Sequence, residues 1–246
     1  MMTAHKRSGR ETFWMVFTGI TGVLILIGVY MSLIWAPTAL NLPTVNEQLA
    51  QRVFYFHVSA GWVGYVAFGV TAVASVLYLI KRSRRFDNLA VSSAEIGVVF
   101  TAANLVSGSI WARPTWNTWW TWDDPRLTLA AIVLMVYIAY LMLRNAIDDP
   151  ERKARLASIY GIVGFISVPL SFVSVRIWRT IHPAVIGTAS ASSQGGFDMS
   201  GNMVITLLFS IFTFSLLYFV LLHYRLCLED QRVELEEYKM AVMADS

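Results

Sequence analysis

The sequence predicts an all-α polytopic membrane protein of six transmembrane helices with both termini cytoplasmic. Three observations carry that expectation. Of 246 residues, 56% are hydrophobic and only 14% are charged, whereas soluble domains carry about 25% charged residues. Six stretches are long and apolar enough to cross a hydrocarbon core about 30 Å thick, which takes roughly 20 helical residues. Lysine and arginine gather on alternate connections, the asymmetry that sets topology.

The first span, about 13–35, carries no charged residue. It is too long for a signal-peptide core and lacks a convincing cleavage site, so it reads as a retained helix. The second, 53–80, is free of charge apart from His57, and the third, 88–111, contains one acid, Glu95. The fourth, 127–143, is short. The fifth, 156–175, contains Pro169, which a membrane helix absorbs as a kink. The sixth is 203–222. Of the 19 lysines and arginines, 14 fall on one face: Lys6 to Arg10, Lys81 to Arg85, Arg144 to Arg155, and the tail. Arg52, Arg113, Arg126, Arg176 and Arg179 hold the other. Both termini and the tail at 224–246 are therefore cytoplasmic, and the connections at 111–128 and 176–202 are extracytoplasmic. The chain reads as a single membrane domain without an internal repeat, which disfavours a transporter of duplicated halves. Its one cysteine, Cys227, excludes a disulfide framework, a thiol relay or an iron–sulfur cluster. The net charge of +3 follows from this topology and is no nucleic-acid signal.

The stretch "WARPTWNTWWTWDDPRLT", Trp111 to Thr128, places five tryptophans in twelve positions and then turns polar. Interfacial belts use Trp and Tyr one or two per helix end, which suits Trp14, Trp35 and Trp62. Trp111, Trp116, Trp119, Trp120 and Trp122 in one connection exceed that need and would expose a large apolar patch unless something flat covered it. An aromatic platform for an amphipathic ligand, with Asp123, Asp124 and Arg126 at its polar rim, accounts for the concentration.

Two of the four histidines share that face. His57 stands about a turn below the outer surface on the second span, and His182 follows the fifth. Either alone is more often a hydrogen-bonded structural residue, but neutral imidazole is also a common axial ligand of haem iron. Gly61 and Gly64 leave the His57 helix face bare, where a flat macrocycle could approach or another helix could pack. Haem carries two propionates, and arginine suits carboxylates. Arg126 follows the tryptophans and Arg52 precedes His57. Arg176 and Arg179 precede His182 and share its side if the segment is helical. Each arginine equally suits a lipid headgroup. Together the set is haem-shaped.

"WNTWWTWDDPRLT", with one outer-face histidine before it and one after it in a six-span chain, resembles the CcmC family of haem-delivery proteins in cytochrome c maturation. The resemblance covers residues 10 to 225. It implies haem b held at the periplasmic face of the bacterial inner membrane and passed to the haem chaperone CcmE. An ABC transporter of CcmA and CcmB, with the small subunit CcmD, then drives release of the loaded chaperone. Carried over by position, His57 and His182 are the axial ligands of the iron, and Trp111, Trp116, Trp119, Trp120 and Trp122 are the platform. Asp123 and Arg126 are the polar end of the motif, and Arg52 matches a basic position before the first histidine. The usual pattern reads W-G-T-W-W-x-W-D-x-R-L-T. Here Asn117 replaces its glycine, one residue more separates Asp123 from Arg126, and Pro183 follows His182.

The expectation is a haem-binding and haem-transfer protein, not an enzyme. A b-haem redox subunit would want histidine pairs near both faces, and only His223 lies near the inner one. A haem or amphipathic-solute transporter would route its cargo past Glu95, the one acid well inside a span. Glu95 is expected instead to pair with Lys81–Arg85.

Overall fold

The computed structural model describes residues 8–39, 42, 44–183 and 199–244. Helix α1 (Gly9–Tyr30) widens into a π-helical turn, Met31–Trp35, and a short α2 (Val45–Ala50) follows. The long helices α3 (Val53–Lys81), α4 (Arg84–Trp116) and α5 (Pro125–Asn145) come next. Helices α6 (Pro150–Phe165) and α7 (Ser167–Ile177) are two halves of one crossing, and α8 (Gly201–Ala244) closes the chain. Six segments are long and apolar enough to span a membrane, as the sequence predicts: Gly9–Trp35, Val53–Lys81, Arg84–Trp116, Pro125–Asn145, Pro150–Ile177 and Gly201–Arg232.

Helix ends follow local chemistry. Ser8 and Glu11 form a capping box at the start of α1. Asp124 and Asp149 cap α5 and α6, each followed by a proline whose missing N–H is not needed in a first turn. The fifth span breaks at Ile166 because Pro169 has no N–H for the Phe165 carbonyl and its ring crowds that oxygen. Helix α4 continues five residues past the expected end at 111. Trp111 and Trp116 therefore ride on a helix, and the turn of the tryptophan stretch starts only at Asn117.

Helix α3 is the hub, packed against α4, α6 and α8. A Cβ on Gly61 would lie 2.8 Å from Asn104 Nδ2, and one on Gly64 would lie 2.5 Å from Thr101 Oγ1. Gly64 thus lies in the seam with α4, where small residues let membrane helices approach, while Gly61, also against α4, lines a cavity with His57 and His182. Helix α1 touches mainly α8 and leaves most of its apolar surface outward.

At the bundle end away from His57, Arg144 grips Asp87 in a two-pronged ion pair of 2.6 and 2.8 Å. Glu95 meets Arg225 of α8 (3.0 Å to Nη2), and Arg225 also bonds Glu229 at 2.8 Å. The partner expected for Glu95, Lys81–Arg85, is thereby corrected. Glu95 sits about 16 Å along the axis from the start of α4 at 1.5 Å per residue, beyond reach of that basic cluster but level with α8.

Candidate functional site

His57 lies one turn into α3, with its ring wedged against α4. Its Nδ1 is 2.9 Å from the Asn104 carbonyl and 3.2 Å from Ser107 Oγ. Gly108 makes the room: a Cβ there would lie 2.8 Å from His57 Cε1. Donating Nδ1–H to a main-chain carbonyl leaves the lone pair on Nε2, the tautomer that metal-ligating histidines adopt.

His182 reaches the same place from the segment after α7. Its Nδ1 bonds the Pro183 carbonyl at 2.9 Å, again leaving Nε2 as the lone-pair nitrogen. Pro183, a departure from the pattern, thus supplies a carbonyl that orients the ring. Burial, then the Arg126 charge, then His57, push the His182 pKa down to about 3. The imidazole is neutral at physiological pH, its ligating form. The two rings lie with centroids 6.3 Å apart and planes tilted by 39°.

Two cavities flank this pair. His57, Asn104, Arg126 and His182 line both. The first is walled by Trp111, Trp116, Trp119 and Trp120. The second is walled by Trp62, Tyr65 and Phe172, with Arg176 at its side. Trp111 and Trp116 meet edge to face at 5.1 Å, and Trp116 reaches His182 at 6.4 Å. Trp122 is 62% exposed and supports Trp120 from outside at 5.6 Å, without lining either cavity. Among the described residues, the indole N–H groups of Trp111 and Trp120 are buried without an acceptor. Such groups are costly unless a ligand supplies one.

The polar end divides its labour. The Arg126 guanidinium bonds Tyr65 Oη at 2.8 Å, Ser171 Oγ at 3.0 Å and the Ser171 carbonyl, which holds it beside both imidazoles. Asp124 is 5% exposed and built into the loop, whereas the motif's expected aspartate, Asp123, is exposed. Asp124-Pro125-Arg126 also restores the usual D-x-R spacing. Arg52 is placed elsewhere: it bonds the Ser32 and Leu33 carbonyls that end α1, and it lines neither cavity. Trp178 is extended, so Arg176, Arg179 and His182 do not share a helical side. Asn117 takes up a left-handed conformation, φ 55° and ψ 22°. Glycine and asparagine are the residues that tolerate it, which explains that replacement.

The donor set suits a planar ligand whose metal brings its own equatorial ligands. His57 and His182 would supply two nitrogen donors to such a metal. Among the described residues, no group of three His, Cys, Asp or Glu could hold a bare ion. The indole walls, the free indole N–H groups and Arg126 match an aromatic body carrying acids. Sequence reasoning missed Gly108, Asn104, Tyr65, Ser171 and Thr180. The run Ser107-Gly108-Ser109 inside an apolar helix was the available signal for the first.

The family model described as heme exporter protein C matches residues 3–241. A heme exporter protein C of Bradyrhizobium diazoefficiens is 36% identical over 82% of this chain and 73% of its own length. That of Haemophilus influenzae is 30% identical over 86% of this chain and 82% of its own. A ccmC-like mitochondrial protein of cytochrome c biosynthesis from Marchantia polymorpha is 31% identical over 81% of each.

Proposed function

The chain belongs to the heme exporter protein C family, and from that premise we propose that it handles haem for cytochrome c biogenesis as a carrier, holding haem b between His57 and His182. The single observation that carries this reading is the pair of imidazoles brought together from two elements, ring centroids 6.3 Å apart, each with Nδ1 2.9 Å from a main-chain carbonyl. The chain does no covalent chemistry on its cargo. Iron accepts the two Nε2 lone pairs, and every other contribution is positional. Trp111, Trp116, Trp119 and Trp120 cover the ring face, Trp122 backs them, and Arg126 with the buried indole N–H groups receives propionates. Arg52 is left out of the site because α1 already occupies its guanidinium.

The lysine and arginine distribution supports a histidine end on the periplasmic side of the inner membrane. Trp119, 58% exposed, lies at the mouth where an acceptor must approach. That acceptor is the haem chaperone CcmE, with CcmA, CcmB and CcmD completing the assembly. The test is the visible spectrum of the purified protein. Wild type should show a six-coordinate low-spin haem, and His57→Ala and His182→Ala should each lose that signature and most of the bound haem. Unchanged spectra and haem content in both variants would end the axial assignment.

A further inference from the structure

His57 rides on a long helix, but His182 does not: α7 ends at Ile177, and the chain then runs extended through Trp178. Something other than a helix must hold the second imidazole in register with the first. The tryptophan loop does so through one buried carboxylate. Asp124 Oδ1 accepts from the Arg126 and Leu127 N–H groups at 2.9 and 3.1 Å, capping α5. Its Oδ2 accepts from Thr180 Oγ1 at 2.6 Å and from the Ile181 N–H at 2.8 Å. The same Thr180 hydroxyl accepts from the His182 N–H at 3.0 Å. Thr180 is 3% exposed, so these bonds form out of water, where charge-assisted hydrogen bonds are strongest.

Resting on the haem reading above, we propose that Asp124 is a positioning residue for the second axial ligand, acting through Thr180, and that Asp123 has no such part. One oxygen anchors the carboxylate to the start of α5, beside Arg126. The other fixes the turn that aims His182. Loop and ligand are thereby one unit: the tryptophan wall cannot shift without carrying the His182 turn with it. The one extra residue between Trp122 and Arg126 then has a physical reading. The aspartate at the D-x-R spacing keeps the tether, and the added Asp123 projects outward.

Asp124→Asn isolates the tether, because asparagine caps helices as well as aspartate does but cannot accept with both ends of its side chain. Thr180→Ala removes the relay and Thr180→Ser restores it. Two readouts separate this proposal from the haem reading. In haem-free protein, amide exchange at Ile181 should quicken about ten- to a hundredfold in Asp124→Asn, with the body of α5 still protected. In haem-loaded protein, Asp124→Asn and Thr180→Ala should lose the low-spin signature and regain it with added free imidazole, while Thr180→Ser and Asp123→Asn match wild type. Wild-type exchange at Ile181 in Asp124→Asn, or an equal spectral loss in Asp123→Asn, would overturn the proposal. If neither histidine variant alters the spectrum, the haem reading falls and the exchange result still decides the tether.

Discussion

The two ends of the bundle hold their buried arginines in different ways. At one end Arg144 and Asp87 satisfy each other with two bonds, and Arg225 is shared between Glu95 and Glu229. At the other, His57, His182, Trp111 and Trp120 line a cavity, the two indole N–H groups are buried without an acceptor, and Arg126 is held by neutral oxygens, Tyr65 and Ser171. Desolvated polar groups are expensive wherever they occur. The contrast argues against a haem path past Glu95, whose carboxylate is already engaged.

The largest effect should come from breaking the paired end. Arg144→Met leaves the Asp87 carboxylate, about nine-tenths buried, without its partner. Losing one member of such a pair costs about 3–5 kcal/mol. Thermal unfolding of the detergent-solubilised protein should show a sharply lowered Tm, and the double variant Asp87→Leu with Arg144→Met should recover most of it. Protein that still folds should keep its haem spectrum. The histidine variants should do the reverse, losing haem while the haem-free protein unfolds near the wild-type temperature. If Arg144→Met removed haem as completely as His57→Ala at unchanged Tm, the ends would not be separable in this way.

Gly108→Ala sharpens the comparison from inside the site. Its Cβ would press on His57 Cε1 at 2.8 Å and Nδ1 at 3.3 Å, so the ring must give up its bond to Asn104 or the helices must part. Overpacking of this kind costs about 1–3 kcal/mol, and the expected sign is a large fall in haem occupancy with a modest fall in Tm. Gly28→Ala is the control: its Cβ meets only Phe209 at 3.6 Å, an ordinary contact. Equal haem content in the two variants would show that Gly108 is not what seats His57.

These residues also mark where the sequence stops being legible. Six spans could be counted because hydropathy is a local property, and the tryptophans with His57 and His182 stood out by type and face. What could not be read were pairings across the fold. Glu95 finds Arg225, 130 positions away, and not the basic cluster near it in sequence. Arg126 finds Tyr65 and Ser171. Gly64 packs helices, Gly61 both packs against α4 and lines a cavity, and Gly108, one turn beyond Asn104 on α4, clears space for the His57 ring. A glycine in a membrane helix has the same local signature in either role, and only the neighbour across the seam decides between them. Arg52 was drawn to the site by its nearness to His57 in sequence. It points instead to the carbonyls left over where α1 ends, which need a donor.

The smallest expected effect sits where the two kinds of structure meet, at the end of α4. Asn117 ends the helix in the left-handed region, and its carbonyl and side-chain oxygens take Arg113 Nη1 at 2.7 and 2.8 Å. Asn117→Gly, the residue of the usual pattern, keeps the backbone angle and the carbonyl contact, so Tm and haem content should stay within error of wild type. Asn117→Val must hold a β-branched side chain at positive φ, which costs about 1–2 kcal/mol or more. The strain falls on the hinge between Trp116, which walls the cavity beside His182, and Trp119. A small fall in Tm should therefore come with a shift in the tryptophan emission of the haem-free protein and weaker haem retention on dilution. If valine behaved as glycine does, the loop would not depend on that backbone angle, and the placement of Trp119 and Trp120 would have to be credited to Asp124 alone.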